Sequence, residues 1–157
     1  SPSRSLRRTL ECLKNVTSIT TYYTDEFEAM KCLNIEAIDE PDNQYDIIIC
    51  YHVLEHIQND IKAMDELKRI TKPGGICIIQ TPFKKGEIYE NITIKSEKER
   101  LLHFGQKDHV RIYSIEGLTS RLSSVGFQPI NQTFKESINN RHGFKTAETI
   151  IIAKKPI

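Results

Sequence analysis

The stretch YDIIICYHVLEHIQNDIKAMDELKRITKPGGICIIQ, residues 45–80, holds two continuous apolar runs on either side of an amphipathic segment. The runs at 45–51 and 76–80 predict strands buried on both faces, which is typical of parallel sheets. Pro73-Gly74-Gly75 predicts the end of a helix before the second run. Strand, helix, glycine turn and strand together predict a βαβ unit. The helix is indicated by apolar side chains that recur on one face: Ile57, Ile61, Met64, Leu67 and Ile70.

The segments on both sides continue the alternation of helices and strands. Upstream, the pattern predicts a helix at 4–13, a strand at 16–24, a helical turn at 27–32 and a short strand at 33–38. Downstream, it predicts a helix at 96–103, an ordered loop at 104–113, a helix at 114–125, and strands at 127–134 and 148–153. We expect the last two strands to pair antiparallel.

Short polar residues indicate where the helices begin. Asn59 or Asp60 can cap the helix of the βαβ unit, and Ser114 can cap the last helix. Ser96, followed three residues later by Glu99, predicts a capping box. Gly126 predicts the end of the last helix.

Length and composition favour one globular domain, residues 1–157. The net charge of +1 gives no long-range field that would favour nucleic acid or an anionic membrane as partner. No apolar run approaches the roughly 20 residues that a transmembrane helix needs, and no signal peptide is recognisable. We therefore expect a cytoplasmic protein.

The four cysteines, Cys12, Cys32, Cys50 and Cys77, lie far apart and form no CxxC pair. Zinc sites built from four cysteines normally have such close pairs, so no metal site is expected from them. Cys50 and Cys77 lie inside the apolar runs, where a free thiol acts as a small apolar side chain. Reduced cysteines are consistent with a cytoplasmic location.

The order of motifs from Tyr45 to Gly75 is similar to class I S-adenosylmethionine-dependent methyltransferases, in particular those with an "FD…HVLEH…LKPGG" pattern. FGQKDHVRIY at 104–113 resembles a loop of a bacterial subgroup. The resemblance covers residue 25 to the C-terminus. It implies an α/β fold, a three-layer Rossmann-like sheet that is mostly parallel with an antiparallel C-terminal strand. It also implies S-adenosyl-L-methionine as cofactor and methyl transfer to an acceptor that we expect to be a small molecule.

One part of the family pattern is missing from the chain. The first strand and its glycine-rich loop would precede Ser1 and lie in the sheet between the strands predicted at 16–24 and 45–51. We therefore expect a gap in the sheet with an apolar edge on each side. An upstream segment, an oligomer that covers these edges, and a degenerate homologue are the three interpretations that remain open.

The resemblance implies a set of cofactor-binding residues at the carboxyl ends of the strands. Asp25 corresponds to the acid that binds the ribose hydroxyls, with a solvated turn as the alternative. Asn34 and Ile35 correspond to the adenine-contacting pair, and an ordinary strand edge is the alternative. Tyr51 and His52 are expected to line the cofactor or acceptor pocket, and packing at the strand end is the alternative.

Three histidines and one arginine are candidates for the chemistry. His109, His52 and His56, in that order, could take a proton from an acceptor, since imidazole titrates near neutrality. Arg111 could bind an acceptor carboxylate or phosphate. The alternative for His109 and Arg111 is a structural loop held by side-chain hydrogen bonds.

Two other functions remain open. A chain without the glycine-rich loop could be an inactive binding module. HVLEH at 52–56 also fits the H-x-x-E-H pattern of a zinc metalloprotease, with two histidine ligands and a glutamate base. That pattern requires a helix, whereas here it directly follows a predicted buried strand, so we expect no metal ligands.

Overall fold

The computed structural model describes residues 4–22, 31–135 and 147–157. The helices are α1 (Arg4–Glu11), a 3-10 helix (Leu54–His56), α2 (Asp60–Ile70), α3 (Glu97–Phe104) and α4 (Ile115–Ser124). The strands are β1 (Thr21–Tyr22), β2 (Lys31–Cys32), β3 (Tyr45–Tyr51), β4 (Thr71–Gln80), β5 (Tyr89–Glu90), β6 (Arg111–Ile112), β7 (Gln128–Thr133) and β8 (Thr149–Lys154).

The main sheet has the strand order β3-β4-β8-β7. β3 and β4 are parallel, and β8 runs antiparallel to both of its neighbours, β4 and β7. β3, β4 and β7 therefore run in one direction and β8 in the other, which confirms the predicted α/β sheet with its antiparallel C-terminal strand. β1 and β2 form a separate parallel pair.

Capping residues begin the helices where the sequence places them. Asn59 caps α2, Ser114 caps α4, and Ser96 with Glu99 forms the capping box of α3. Each side chain accepts a bond from a backbone N–H that has no partner inside its helix. The predicted start of the α2 stripe at Ile57 is three residues too early, because the chain first forms the 3-10 helix.

The predictions upstream of residue 40 are partly wrong. Of the strand predicted at 16–24, residues 16–20 form no strand, Thr21 and Tyr22 form β1, and 23–24 lie outside the described residues. Of the helical turn predicted at 27–32, residues 31–32 form the strand β2 and 27–30 lie outside the described residues. Residues 33–38 form a turn rather than a strand. The Asn34 side chain accepts a hydrogen bond from the Glu36 N–H (3.0 Å), so a local side-chain bond replaces strand pairing here.

The structure also differs from the glycine turn predicted at Pro73-Gly74-Gly75, since these residues lie inside β4. α2 ends at Ile70, and β4 begins at the next residue with an irregular register opposite Tyr45 and Ile47. Gly74 has a left-handed backbone (φ 78°). A side chain at Gly75 would come within 2.8 Å of the Asp46 carbonyl oxygen, so only glycine fits this close strand contact.

The core lies between the sheet and helices α2 and α4. Buried residues of α2 and α4 pack with the centre of β4 and β8: Ala63, Met64, Leu67, Leu118, Leu122, Cys77, Ile79, Ile151 and Ala153. The prediction that β3 is buried on both faces is only partly correct, because Ile47 is 58% exposed. Among the described residues β3 pairs only with β4, so its other edge has no neighbour. No helix of the described chain is long and apolar enough to cross a membrane.

Candidate functional site

The site begins at the carboxyl end of β3. The His52 N–H donates to the Gln80 carbonyl oxygen (2.9 Å), which continues the pairing with β4 for one residue. His52 has a left-handed backbone (φ 52°), which is uncommon for a residue with a side chain and occurs at functional sites more often than elsewhere. The turn directs the chain into the 3-10 helix, where Glu55 is buried.

The loop after α3 covers this 3-10 helix. Gly105 ends α3 with a left-handed backbone (φ 82°) and turns the chain back toward β3. The Val110 N–H then donates to the Glu55 carbonyl oxygen (2.9 Å), and His109 is buried next to it. β6 pairs antiparallel with β5, which holds the far end of the loop.

Three side chains converge where the loop meets the 3-10 helix. One potential ligand atom from each of Glu55, His56 and His109 lies within 4.8 Å of the others. The two imidazole rings are 4.6 Å apart between centroids and nearly perpendicular. His56 Nδ1 lies 3.2 Å from a carboxylate oxygen of Asp108, and His52 Nδ1 lies 3.3 Å from Glu55 Oε1.

The Glu55 carboxylate has an unusual environment. Glu55 is 1% exposed, and neither carboxylate oxygen has a hydrogen-bond partner among the described residues. The nearby His52 nitrogen is close enough for an ion pair but lacks the geometry of a hydrogen bond. Buried carboxylates are normally paired or bound to a cation, so this one is an exception that requires an explanation.

Burial lowers the pKa of His109, and the neighbouring His56 lowers it further. The carboxylates of Glu55 and Asp108 and the Phe104 carbonyl oppose this shift. The imidazole of His109 is therefore biased toward its neutral form, which has a free lone pair. Burial also raises the pKa of Tyr51 at the end of β3.

Arg111 is held by backbone carbonyls at the end of the 3-10 helix. Its guanidinium donates to the carbonyl oxygens of Leu54 (3.1 Å), Ile57 and Gln58 (2.9 Å). Its Nε also donates to Glu90 (2.9 Å). With its donors used in this way, the geometry favours the structural alternative for Arg111 over the predicted binding of an acceptor anion.

A network of charged side chains around Asp60 lies next to Arg111. The buried Asp60 carboxylate accepts hydrogen bonds from Tyr113 and Arg121, and Arg111 Nε lies 3.7 Å from it. Arg121 also donates to Glu90. Burial raises the pKa of the Tyr113 hydroxyl, and the Asp60 charge raises it further. This network joins α2, β5, β6 and α4 beneath the site.

A cavity of about 200 Å³ opens beside Glu55 and His109. Its walls come from the 3-10 helix, the end of β4 and the loop after α3: Glu55, Pro82, Phe104, Gly105, Gln106, His109, Arg111 and Ile112. Apolar walls around a few polar groups are typical of small-molecule sites.

The predicted cofactor residues lie in two places. Asp25 is outside the described residues. Asn34 and Ile35 follow β2, where Asn34 is exposed and Ile35 packs against the core. Tyr51 and His52 lie at the end of β3, where only His52 reaches the cluster around Glu55.

Sequence reasoning missed the role of Glu55 at the centre of the cluster and the network of Asp60, Glu90 and Arg121. Glu55 was visible in HVLEH, but only as the base of a protease pattern. In the structure HVLEH is not α-helical, since only Leu54–His56 form a 3-10 helix. The single helix face that the protease pattern requires is therefore not formed by these residues.

Comparisons with known proteins agree with the fold. Residues 2–132 match a family described as "Methyltransferase domain". A probable S-adenosylmethionine-dependent methyltransferase of Mycolicibacterium smegmatis is 24% identical over 115 residues, which are 73% of this chain and 39% of the relative. The chain spans 18%, 27% and 39% of the length of three curated relatives that it matches.

Solved structures show the same fold. A SAM-dependent methyltransferase of Thermotoga maritima, described as a possible histamine N-methyltransferase, superposes with a TM-score of 0.54 at 20% identity, covering 77% of this chain and 61% of that chain. A 1,6-didemethyltoxoflavin-N1-methyltransferase of Burkholderia thailandensis, solved with bound 1,6-didemethyltoxoflavin and S-adenosylhomocysteine, superposes with a TM-score of 0.53 at 15% identity, covering 78% of this chain and 48% of that chain. This chain therefore belongs to the methyltransferase domain family, as a class I, Rossmann-like member whose family cofactor is S-adenosylmethionine.

Proposed function

We propose that this protein transfers a methyl group from S-adenosylmethionine to a small-molecule acceptor that enters the cavity beside His109. The observation that carries this proposal is the position of the cavity. It lies at the carboxyl ends of β3 and β4, the edge at which parallel sheets bind their ligands.

We propose that described residues in two places bind part of the cofactor. Among the described residues the Asn34 amide NH₂ has no hydrogen-bond acceptor, and Oδ1 keeps a second lone pair, so this side chain can still bind an adenine edge. Ile35 lies beside it, and Tyr51 and His52 lie at the carboxyl end of β3 in the main sheet. Asp25 keeps its proposed role toward the ribose. The cofactor supplies a methyl group that is already activated, so little covalent chemistry is left to the protein.

The chain's own residues would mainly position the acceptor and exclude water. Phe104 and Ile112 supply apolar cavity walls. For an acceptor that carries a proton near neutral pH, His109 is the first candidate to receive it, followed by His52 and His56. Arg111 acts through the backbone that it holds, so we propose it as a positioning residue.

Calorimetry with S-adenosylhomocysteine tests the cofactor half of this proposal. We expect saturable binding by the chain, or by a form extended upstream, and weaker binding after Asn34→Ala. Asn91→Ala is a matched control, since the Asn91 side chain accepts a bond from the N–H two residues later, as Asn34 does. An extended form without any binding would contradict the proposed function.

The alternative is a methyltransferase-like module that binds a partner without catalysis. The open edge of β3 is the observation that favours it, because the cofactor side of the described sheet has no strand there. The calorimetric test separates the two functions.

The methyl-transfer proposal also includes a small-molecule acceptor and a cytoplasmic location. The net charge of +1 and the free cysteines support them.

A further inference from the structure

The Glu55 carboxylate is the strongest unexplained feature of the molecule. It is 1% exposed, and both oxygens lack a hydrogen-bond partner among the described residues. An isolated carboxylate loses several kcal/mol of hydration when it is buried, so a cation at this position would offset a large unfavourable term. Glu55 and His109 both line the cavity.

The two histidines beside Glu55 are oriented as metal ligands usually are. His56 Nδ1 faces the Asp108 carboxylate at 3.2 Å, which leaves Nε2 available for a ligand. A histidine that binds a metal typically donates its other ring N–H to a carboxylate or a carbonyl. The imidazole of His109 is buried and nearly perpendicular to that of His56. His56 therefore has one ring nitrogen beside a carboxylate and one to spare.

We propose that Glu55, His56 and His109 bind one divalent transition-metal ion. Their potential ligand atoms lie within 4.8 Å of one another, a spacing that one ion can bridge with small side-chain movements. Two histidines and one carboxylate are a ligand set used by catalytic zinc and non-haem iron, both of which keep open coordination positions. Because Glu55 and His109 line the cavity, an ion held by them would be accessible from it.

This assignment differs from the protease pattern in its ligands. In that pattern His52 and His56 bind the ion and Glu55 acts as the base. Here His52 is exposed and has a left-handed backbone outside the 3-10 helix, and His109 comes from a distant loop. Glu55 becomes a ligand instead of a base.

The role of the ion rests on the proposed methyl transfer. An acceptor hydroxyl would bind an open position, where the metal charge lowers its pKa and its proton leaves to solvent. The acceptor oxygen then forms the new bond to the methyl carbon, and the methyl–sulfur bond breaks with its electron pair on sulfur. A metal on His109 uses the lone pair that a general base needs, so it replaces that role of His109.

Zinc titration of the chelator-treated full chain tests the site without cofactor or acceptor. We expect one Zn²⁺ per chain. Glu55→Gln and His109→Gln should each weaken binding by at least the ~10–100-fold that is typical of losing an outer-shell partner. His103→Gln is the matched control, because His103 is an exposed histidine at the end of α3 and is bonded to Tyr89. His52→Gln should retain stoichiometric binding.

Co²⁺ provides a second readout, since ligand replacement changes its visible absorption. Circular dichroism checks the folding of each variant, and if Glu55→Gln unfolds, His56→Gln at a half-exposed position decides the same question. Any of three results would overturn the ligand set. The first is no saturable zinc binding, and the second is that Glu55→Gln and His109→Gln bind zinc as tightly as wild type. The third is loss of binding in His52→Gln alone.

The two proposals fail separately. A chain that binds S-adenosylhomocysteine but no zinc keeps the proposed function and loses the metal site. A chain that binds zinc through these three residues but no S-adenosylhomocysteine in either form keeps the metal site and loses the proposed function.

Discussion

Arg111 connects the two segments that form the site. The guanidinium of Arg111 donates to three backbone carbonyl oxygens in and just after the 3-10 helix, those of Leu54, Ile57 and Gln58. Its charge is balanced by Glu90 and by the nearby Asp60. The planar fork suits this geometry, which a single ammonium group cannot reproduce.

We therefore expect Arg111→Lys to destabilise the protein although it keeps the charge. The loss should be on the order of 2 kcal/mol, because buried carbonyls lose charge-assisted hydrogen bonds. Urea denaturation measures it as a lower midpoint with an unchanged slope. Arg8→Lys, at an exposed residue of α1, is the control. A midpoint for Arg111→Lys equal to that of the control would contradict the structural role.

At the scale of elements, α2 is tied to the turn that carries Asn34 and Ile35. The Glu66 carboxylate accepts the Ile38 N–H (2.7 Å) and two bonds from Arg69. Arg69 also donates to the Ile38 carbonyl oxygen (2.7 Å). The residues proposed to contact adenine therefore depend on a charged contact with a helix far away in the sequence.

This contact predicts a dependence of stability on pH. The bonds from Arg69 lower the pKa of Glu66, although burial opposes the shift. A carboxyl group whose folded pKa is depressed stabilises the protein above its unfolded pKa, and this contribution is lost as the pH falls through the folded pKa. Glu66→Gln should therefore cost about 1 kcal/mol at pH 7 and nothing at a pH well below the folded pKa.

Urea denaturation of wild type and Glu66→Gln from neutral to acidic pH measures this difference. Asp65→Asn, at an exposed position one residue earlier on the same helix, controls for the change in net charge. A difference that stays constant down to the lowest pH would show that the carboxylate charge is not what holds the turn.

At the scale of the whole molecule, the sheet has an open side. β3 pairs only with β4 among the described residues, and Ile47 on β3 is 58% exposed. An unpaired strand edge with an exposed apolar side chain favours association with another strand. The resemblance places a further strand of the family sheet at this edge.

We expect the isolated chain to self-associate through β3 in a concentration-dependent way. Ile47→Lys should reduce the association, because a charged lysine on an exposed edge strand disfavours pairing. Sedimentation velocity over a range of concentrations measures it, with Ile61→Lys, an exposed isoleucine on α2, as the control. A wild-type chain that stays monomeric at all concentrations would contradict this expectation.

Local sequence signals were sufficient to predict the elements whose limits depend on residues close together in the chain. The strand at 45–51 was predicted with its observed limits, and Asn59, Ser96 and Ser114 cap helices as expected. Capping and apolar periodicity depend on residues within one or two turns, so a sequence can display them. The short segment at 33–38 was wrong, because the Asn34 side-chain bond and the contact with Glu66 outweighed its strand-like composition.

The sequence by itself determined the βαβ unit, the helix starts and the resemblance to a methyltransferase family. Only the tertiary structure decided what surrounds Glu55. Glu55 lies in a single 3-10 turn between β3 and α2, and His109 reaches it from a loop placed by α3 and by the bonds of Arg111. Burial without a partner is a property of three-dimensional packing, which no local pattern of residues records.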